Sequence, residues 1–171
     1  EHGRPIETDL SVFLQLCSNP LIAVTGSKGK STTASAIHHC LTSVHPGARL
    51  GGNITVSPLT FLEEIDPQAP VVLELSSWQL GDVRGKDLLK PRVSVLTVLL
   101  PDHQDRYPSM ERYIADKKTI FESQGAGQFA LLNLGDPLQR GFEAETRARI
   151  RYFSAAPLEP GMEGAFLLDR G

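Results

Sequence analysis

The chain has 171 residues, 40% of them hydrophobic, which suits one globular domain with enough chain to bury a sizeable core. A formal net charge of −3 with no run of Lys or Arg argues against a nucleic-acid surface, and the longest apolar run, Val93 to Leu100, is far too short for membrane insertion. Cys17 and Cys40 lie far apart without metal-ligand spacing and read as free thiols of a cytoplasmic protein. The first residue is Glu1 rather than Met and no signal peptide is visible, so the chain reads as a piece of a longer protein.

In chain order, residues 1–19 read as a linker leading into a short helix, with Leu10, Val12, Phe13, Leu14 and Leu16 near helical spacing after a Thr8-Asp9 cap. Leu21 to Thr25 predicts a buried strand, which runs into the stretch AVTGSKGKSTT and a helix from Lys30 to Val44 ended by Pro46-Gly47. A β-branched run, a Gly-rich turn and Lys-Ser-Thr at a helix start aim backbone N–H groups and a helix N-terminus at phosphate. Gly26 and Gly29 let the backbone approach an anion, Lys30 supplies a point charge for β and γ oxygens, and Ser31 a hydroxyl for Mg²⁺. The loop Gly26, Ser27, Lys28, Gly29, Lys30, Ser31, Thr32 therefore predicts a nucleotide-phosphate site. Its two glycines are separated by two residues where the general pattern has four, so Val24 stands where that pattern wants Gly. An ordinary Gly turn ahead of a capped helix is the plainer alternative, but it does not call for two Lys and a Ser-Thr pair together.

On the helix after the loop, His38, His39 and Cys40 are adjacent, point to different faces and cannot converge on one ion. Arg49 to Ile54 reads as a second Gly-containing turn and Pro58 to Ile65 as a short helix. Val71 to Leu75 is a continuous apolar strand except for Glu74. A strand apolar on both faces belongs inside a parallel sheet, where an unpaired carboxylate is costly, so Glu74 should have a cation. The alternative is a surface Glu on an edge strand. Ser76 to Leu80 turns into a short helix, and Val93 to Leu99 is the next buried strand. The polar loop after it, Pro101-Asp102-His103-Gln104-Asp105-Arg106-Tyr107, lies at a strand's carboxyl end, where open α/β sheets bind ligands.

Ser109 caps a helix to Gln124 whose inward stripe is Tyr113, Ile114, Ile120 and Phe121, with Lys117 and Lys118 between them. A strand over Gln128–Leu134, a helix from about Leu138 to Arg147, and strands over Ile150–Ser154 and Ala165–Leu168 complete the chain. The alternation predicts an α/β fold, a mostly parallel sheet with helices on both faces and right-handed crossovers.

Five segments in this order, TGSKGKST, GGNI, ELSSWQL, PDHQDRY and YIADKKTIFE, resemble the Mur ligases, ATP-dependent amide-bond ligases of peptidoglycan precursor synthesis. The ELSSxQL and DHxDRY forms favour the branch that adds D-glutamate to UDP-N-acetylmuramoyl-L-alanine over its Mur relatives and the folylpolyglutamate synthases, and the alternative of another class is a non-catalytic nucleotide-binding module. The resemblance implies a P-loop-containing central ATP-binding domain over residues 20–171, with residues 1–19 as the linker from a first domain that is missing here, as is the third. It implies ATP and Mg²⁺ as cofactors, and an isolated domain unable to turn over. By resemblance, the loop from Gly26 to Thr32, with Lys30, holds the ATP phosphates. Ser31 and Glu74 would hold one Mg²⁺ and His103 would help hold a second. Asn53, Ser76, Gln79 and His103 would touch the muramoyl substrate. The family also carries a lysine that becomes a carbamate and then serves as a metal ligand. Tyr-x-x-x-Lys spacing puts it at Lys117, and counting from His103 puts it at Lys118.

Overall fold

The structure, a computed structural model, describes residues 7–54, 56–101 and 107–168. Its elements in chain order are α1 (Asp9–Leu16), β1 (Leu21–Thr25), α2 (Lys30–Thr42), β2 (Arg49–Gly52), β3 (Val71–Glu74), α3 (Ser77–Val83), β4 (Val93–Leu96), α4 (Met110–Glu122), β5 (Phe129–Asn133), β6 (Arg149–Ser154) and β7 (Gly164–Phe166). Seven strands form one sheet in the order β2-β3-β1-β4-β5-β6-β7. Every pairing is parallel, as the continuous apolar runs anticipate.

Period-two alternation divides the central strands between two cores. Leu21, Ala23, Val71, Leu73, Leu75 and Leu96 face the larger one, built with Leu10 and Phe13 of α1, Leu80 and Val83 of α3, and Ile120 and Phe121 of α4. Val24, Val72 and Val95 face the smaller one, covered by Ala34, Ile37 and Leu41 of α2. Helices therefore lie on both faces, and α2, which begins at the loop after β1, covers the smaller core. The chain leaves β1 toward one face, while the helices following β3 and β4 pack on the other. This reversal opens the crevice at the strands' carboxyl ends where doubly wound sheets take ligands.

Local chemistry explains the helix starts. Thr8 and Ser11 form a reciprocal capping box on α1, Ser76 and Gln79 form one on α3, and Ser109 caps α4. The helix of the segment expected to lead into the domain is packed into the larger core. Phe13 meets Phe61 edge to face at 6.1 Å.

Three local expectations are corrected. The stretch read as a turn at 49–54 is largely the edge strand β2, whose Gly51 lies under the Phe61 ring and whose Gly52 lies against the backbone of Glu74. A Cβ at Gly52 would overlap the Glu74 carbonyl, and Gly52 also has φ 102°, whereas a Cβ at Gly51 would press on the Phe61 ring. The helix expected over 138–147 is two 3₁₀ turns, Pro137–Gln139 and Phe142–Glu145, interrupted at Gly141, a poor helix former. The helix expected over 58–65 is a single 3₁₀ turn, Pro58–Phe61. Among the described residues no helix is long and apolar enough to cross a membrane.

Candidate active site

The loop between β1 and α2 carries both of its glycines at positive φ. Gly26 has φ 148° and Gly29, the N-cap of α2, has φ 83°. Gly29 offers no side chain to cap the helix, so the first-turn N–H groups are left for an external acceptor. Ser31 and Thr32 are exposed on that turn. Lys30 folds back, its Nζ donating to the Ser27 carbonyl at 3.1 Å. Ser27 faces inward instead: its Oγ accepts from Leu100 N at 2.9 Å, contacts the Leu100 carbonyl at 2.9 Å and lies 2.9 Å from the Tyr113 hydroxyl. Its hydroxyl thus holds the loop, and Lys28, whose side chain points to solvent, contributes its carbonyl to the same framework.

Glu74 ends β3 beside β1, in register with Val24, on the same rim of the sheet as the loop. It is 2% exposed. The edge-strand alternative is excluded, because β3 lies between β2 and β1. Asn53 grips this residue twice, its N–H donating to the Glu74 carbonyl at 2.7 Å and its Nδ2 to Oε1 at 3.3 Å. The second carboxylate oxygen, Oε2, is buried and has no hydrogen-bond partner among the described residues. A buried carboxylate oxygen in that condition calls for a cation. A hard divalent ion bound through phosphates suits this donor set, with Glu74 and the Ser31 hydroxyl as protein ligands. No group of three His, Cys, Asp or Glu able to hold a metal occurs among the described residues.

A cavity of about 200 Å³ opens next to this acid, lined by Lys30, Asn53, Ser76, Ser77, Trp78, Tyr113 and Lys117. Four of the sequence-predicted site residues, Lys30, Asn53, Ser76 and Lys117, thus meet in one space. Gln79 acts at α3's start, its Oε1 accepting from Ser76 N at 3.0 Å and Ser76 Oγ at 3.1 Å. Lys117 is 2% exposed, donates to the Gly26 carbonyl at 2.8 Å and lies 4.7 Å over the Tyr113 ring. Lys118 points to the far side of α4, paired with Glu145 at 2.6 Å. Of the two adjacent lysines, Lys117 is the one in the site. His103, with residues 102–106, lies outside the described residues.

The sequence reading missed an aromatic row beside the cavity. Tyr107, immediately after that segment, lies 5.4 Å from Trp78 and 5.2 Å from Tyr113 between ring centroids, and donates to Asp116 at 3.1 Å. Burial pushes the Tyr107 phenol up, with a contact to Ser77 opposing and the Asp116 charge reinforcing the shift. Asp116 is held in turn by Arg84 at 3.3 Å. A Tyr preceding a helix cap gives little sign of this, although a buried Asp on an inward helix face requires such partners.

Residues 24–159 match the family model of the Mur ligase middle domain. The chain belongs to the Mur ligase family. It is 44% identical over 166 residues to the UDP-N-acetylmuramoylalanine–D-glutamate ligase of Treponema pallidum, covering 90% of this chain and 31% of that protein. It is 47% identical over 125 residues to the enzyme of that name from Borreliella burgdorferi, covering 73% of this chain and 27% of the relative. The chain spans about a third of the length of the curated relatives it matches. Among solved structures, MurF from Thermotoga maritima in complex with ADP aligns with TM-score 0.64 at 23% identity, over 86% of this chain and 35% of that one. MurF from Acinetobacter baumannii aligns with TM-score 0.67 at 20% identity, over 84% and 33%. At that identity the likeness concerns the fold: this sheet is that of Mur ligase central domains.

Proposed function

We propose that this domain is the ATP-binding centre of a ligase that joins D-glutamate to UDP-N-acetylmuramoyl-L-alanine. The observation that carries the reading is Glu74, a buried acid whose Oε2 has no hydrogen-bond partner among the described residues, on the same rim as the glycine loop at the head of α2. The names of the relatives at 44% and 47% identity supply the substrates, and ADP in a structural neighbour supports the nucleotide. In the reaction, the muramoyl-alanine carboxylate attacks the γ-phosphorus of ATP, releasing ADP and leaving an acyl phosphate. The amine of D-glutamate then adds to the acyl carbon, and phosphate leaves from the tetrahedral intermediate as the amide forms.

Several anions converge in both steps, so the site's work is electrostatic. Lys30 and the N–H groups at the start of α2 bind the phosphates. Glu74 and Ser31 would hold Mg²⁺, which would supply neutralising charge for the phosphate oxygens. Asn53 and Ser76, which line the cavity, would orient the carboxylate, Gln79 would fix Ser76, and His103 would help hold a second ion. Lys117 is the lysine in position to take up CO₂ as a carbamate, its amine losing a proton as the N–C bond forms. Residues 20–171 serve as the ATP-binding unit and 1–19 as its lead-in. The test is ADP release, by coupled assay, from the protein carrying this domain in full. Release should require UDP-N-acetylmuramoyl-L-alanine and D-glutamate together, and the 171-residue chain alone should not turn over. Release indifferent to D-glutamate overturns the assignment.

A further inference from the structure

We propose that Thr97 is a positioning residue of the phosphate loop, a hydroxyl that sets the Lys28–Gly29 peptide so that the Gly29 N–H faces the nucleotide phosphates. The proposal deepens the phosphate-binding reading and rests on it. Thr97 follows β4 and is 8% exposed. Its Oγ1 lies 2.6 Å from the Lys28 carbonyl and 3.2 Å from that of Thr25. A hydroxyl has one proton, and the shorter contact takes it. In a trans peptide the C=O and the following N–H point to opposite sides. With the Lys28 carbonyl tied inward to Thr97, the Gly29 N–H is directed outward, at the head of α2.

Two further observations show that the side chain is inserted under the loop. A Cβ built on Gly26 would lie 1.9 Å from Thr97 Oγ1, so the glycine's missing side chain leaves the space that the hydroxyl fills. Thr97 is itself fixed from both sides, its N–H donating to the Thr25 carbonyl at 2.9 Å and its carbonyl accepting from Asn133 Nδ2 at 2.8 Å. The loop has two residues between its glycines where the general phosphate loop has four. A neighbouring strand's side chain here supplies an internal support for that shorter turn.

The test compares wild type, Thr97→Val and Thr97→Ser in the 171-residue chain. MgADP affinity is measured by calorimetry, and the Gly29 amide resonance is followed while inorganic pyrophosphate with Mg²⁺ is added. Thr97→Val keeps the shape and removes the donor, so ADP affinity should fall about tenfold, the worth of one well-made hydrogen bond. The pyrophosphate-induced shift of the Gly29 amide should be largely lost. Thr97→Ser should restore both to within about threefold. A general packing defect would lower the melting temperature of both variants alike without singling out the Gly29 signal, and that result overturns the proposal. So does a Thr97→Val chain that binds ADP like wild type, which leaves the phosphate-binding reading intact. A wild-type chain that binds neither ADP nor pyrophosphate overturns both.

Discussion

Replacing Glu74 by Gln separates an acid that serves an ion from one that serves the fold. The side chain is 2% exposed, Oε1 accepts from Asn53 and Oε2 has no partner among the described residues. Gln has the same shape and its amide oxygen can keep the Asn53 bond, so without ligand the change should cost at most about 1 kcal/mol. For a domain of this length that is about 2–4 °C in melting temperature. A ligand at a hundred times its dissociation constant stabilises by about 2.7 kcal/mol, which corresponds to about 5–11 °C here. The measurement is thermal melting with ADP and Mg²⁺ against ADP and EDTA. Wild type should show a Mg²⁺-dependent increment within that range, and Glu74→Gln should lose more than half of it while the metal-free melting temperature barely moves. An undiminished increment in the variant refutes the assignment of Glu74 as the ion's ligand.

Two other outcomes follow from the geometry. Gly26→Ala should destabilise the chain by about 1–3 kcal/mol and abolish ADP binding, because the new methyl meets Thr97 Oγ1 at a backbone angle of φ 148°; Gly127→Ala, with open space around it, should leave melting and binding unchanged. For the thiols, burial pushes the Cys17 pKa up and a backbone hydrogen bond at Asn19 only partly opposes it, whereas Cys40 is exposed. A raised pKa means less thiolate at a given pH. Cys17 should therefore react with a disulfide reagent at pH 8 well after Cys40 and accelerate as pH rises; two thiols reacting in a single fast phase contradict this.

The strand, glycine loop and helix around Gly26–Thr32 were legible in the sequence because their signals are local: an apolar run, two glycines and a helix start lie in one stretch. Glu74 was legible for a different reason, a charge in a segment too apolar to face water. The same reasoning applied to Thr97 would have flagged a hydroxyl at the end of a buried strand as needing a partner. A hydroxyl just past a strand's end carries no local sign of its partners, however, and these lie 69 and 72 positions away in sequence. Strand β2 was hidden because its glycines answer to the Phe61 ring and the Glu74 backbone, neighbours that only the folded sheet brings in. Lys117 and Lys118 could not be separated by spacing counts. The helix face separates them, since one points into the cavity and the other reaches Glu145.

Along β3, Val72 and Glu74 project to the same side, so the carboxylate continues the row of methyl groups on which α2 rests. Seating of that helix and placement of Glu74 therefore share one layer only a few side chains across. A change of volume at Ala34 or Val95 would tilt α2 relative to Glu74, so variation in this apolar strip would reset the spacing between the glycine loop and that acid while every polar residue stays in place.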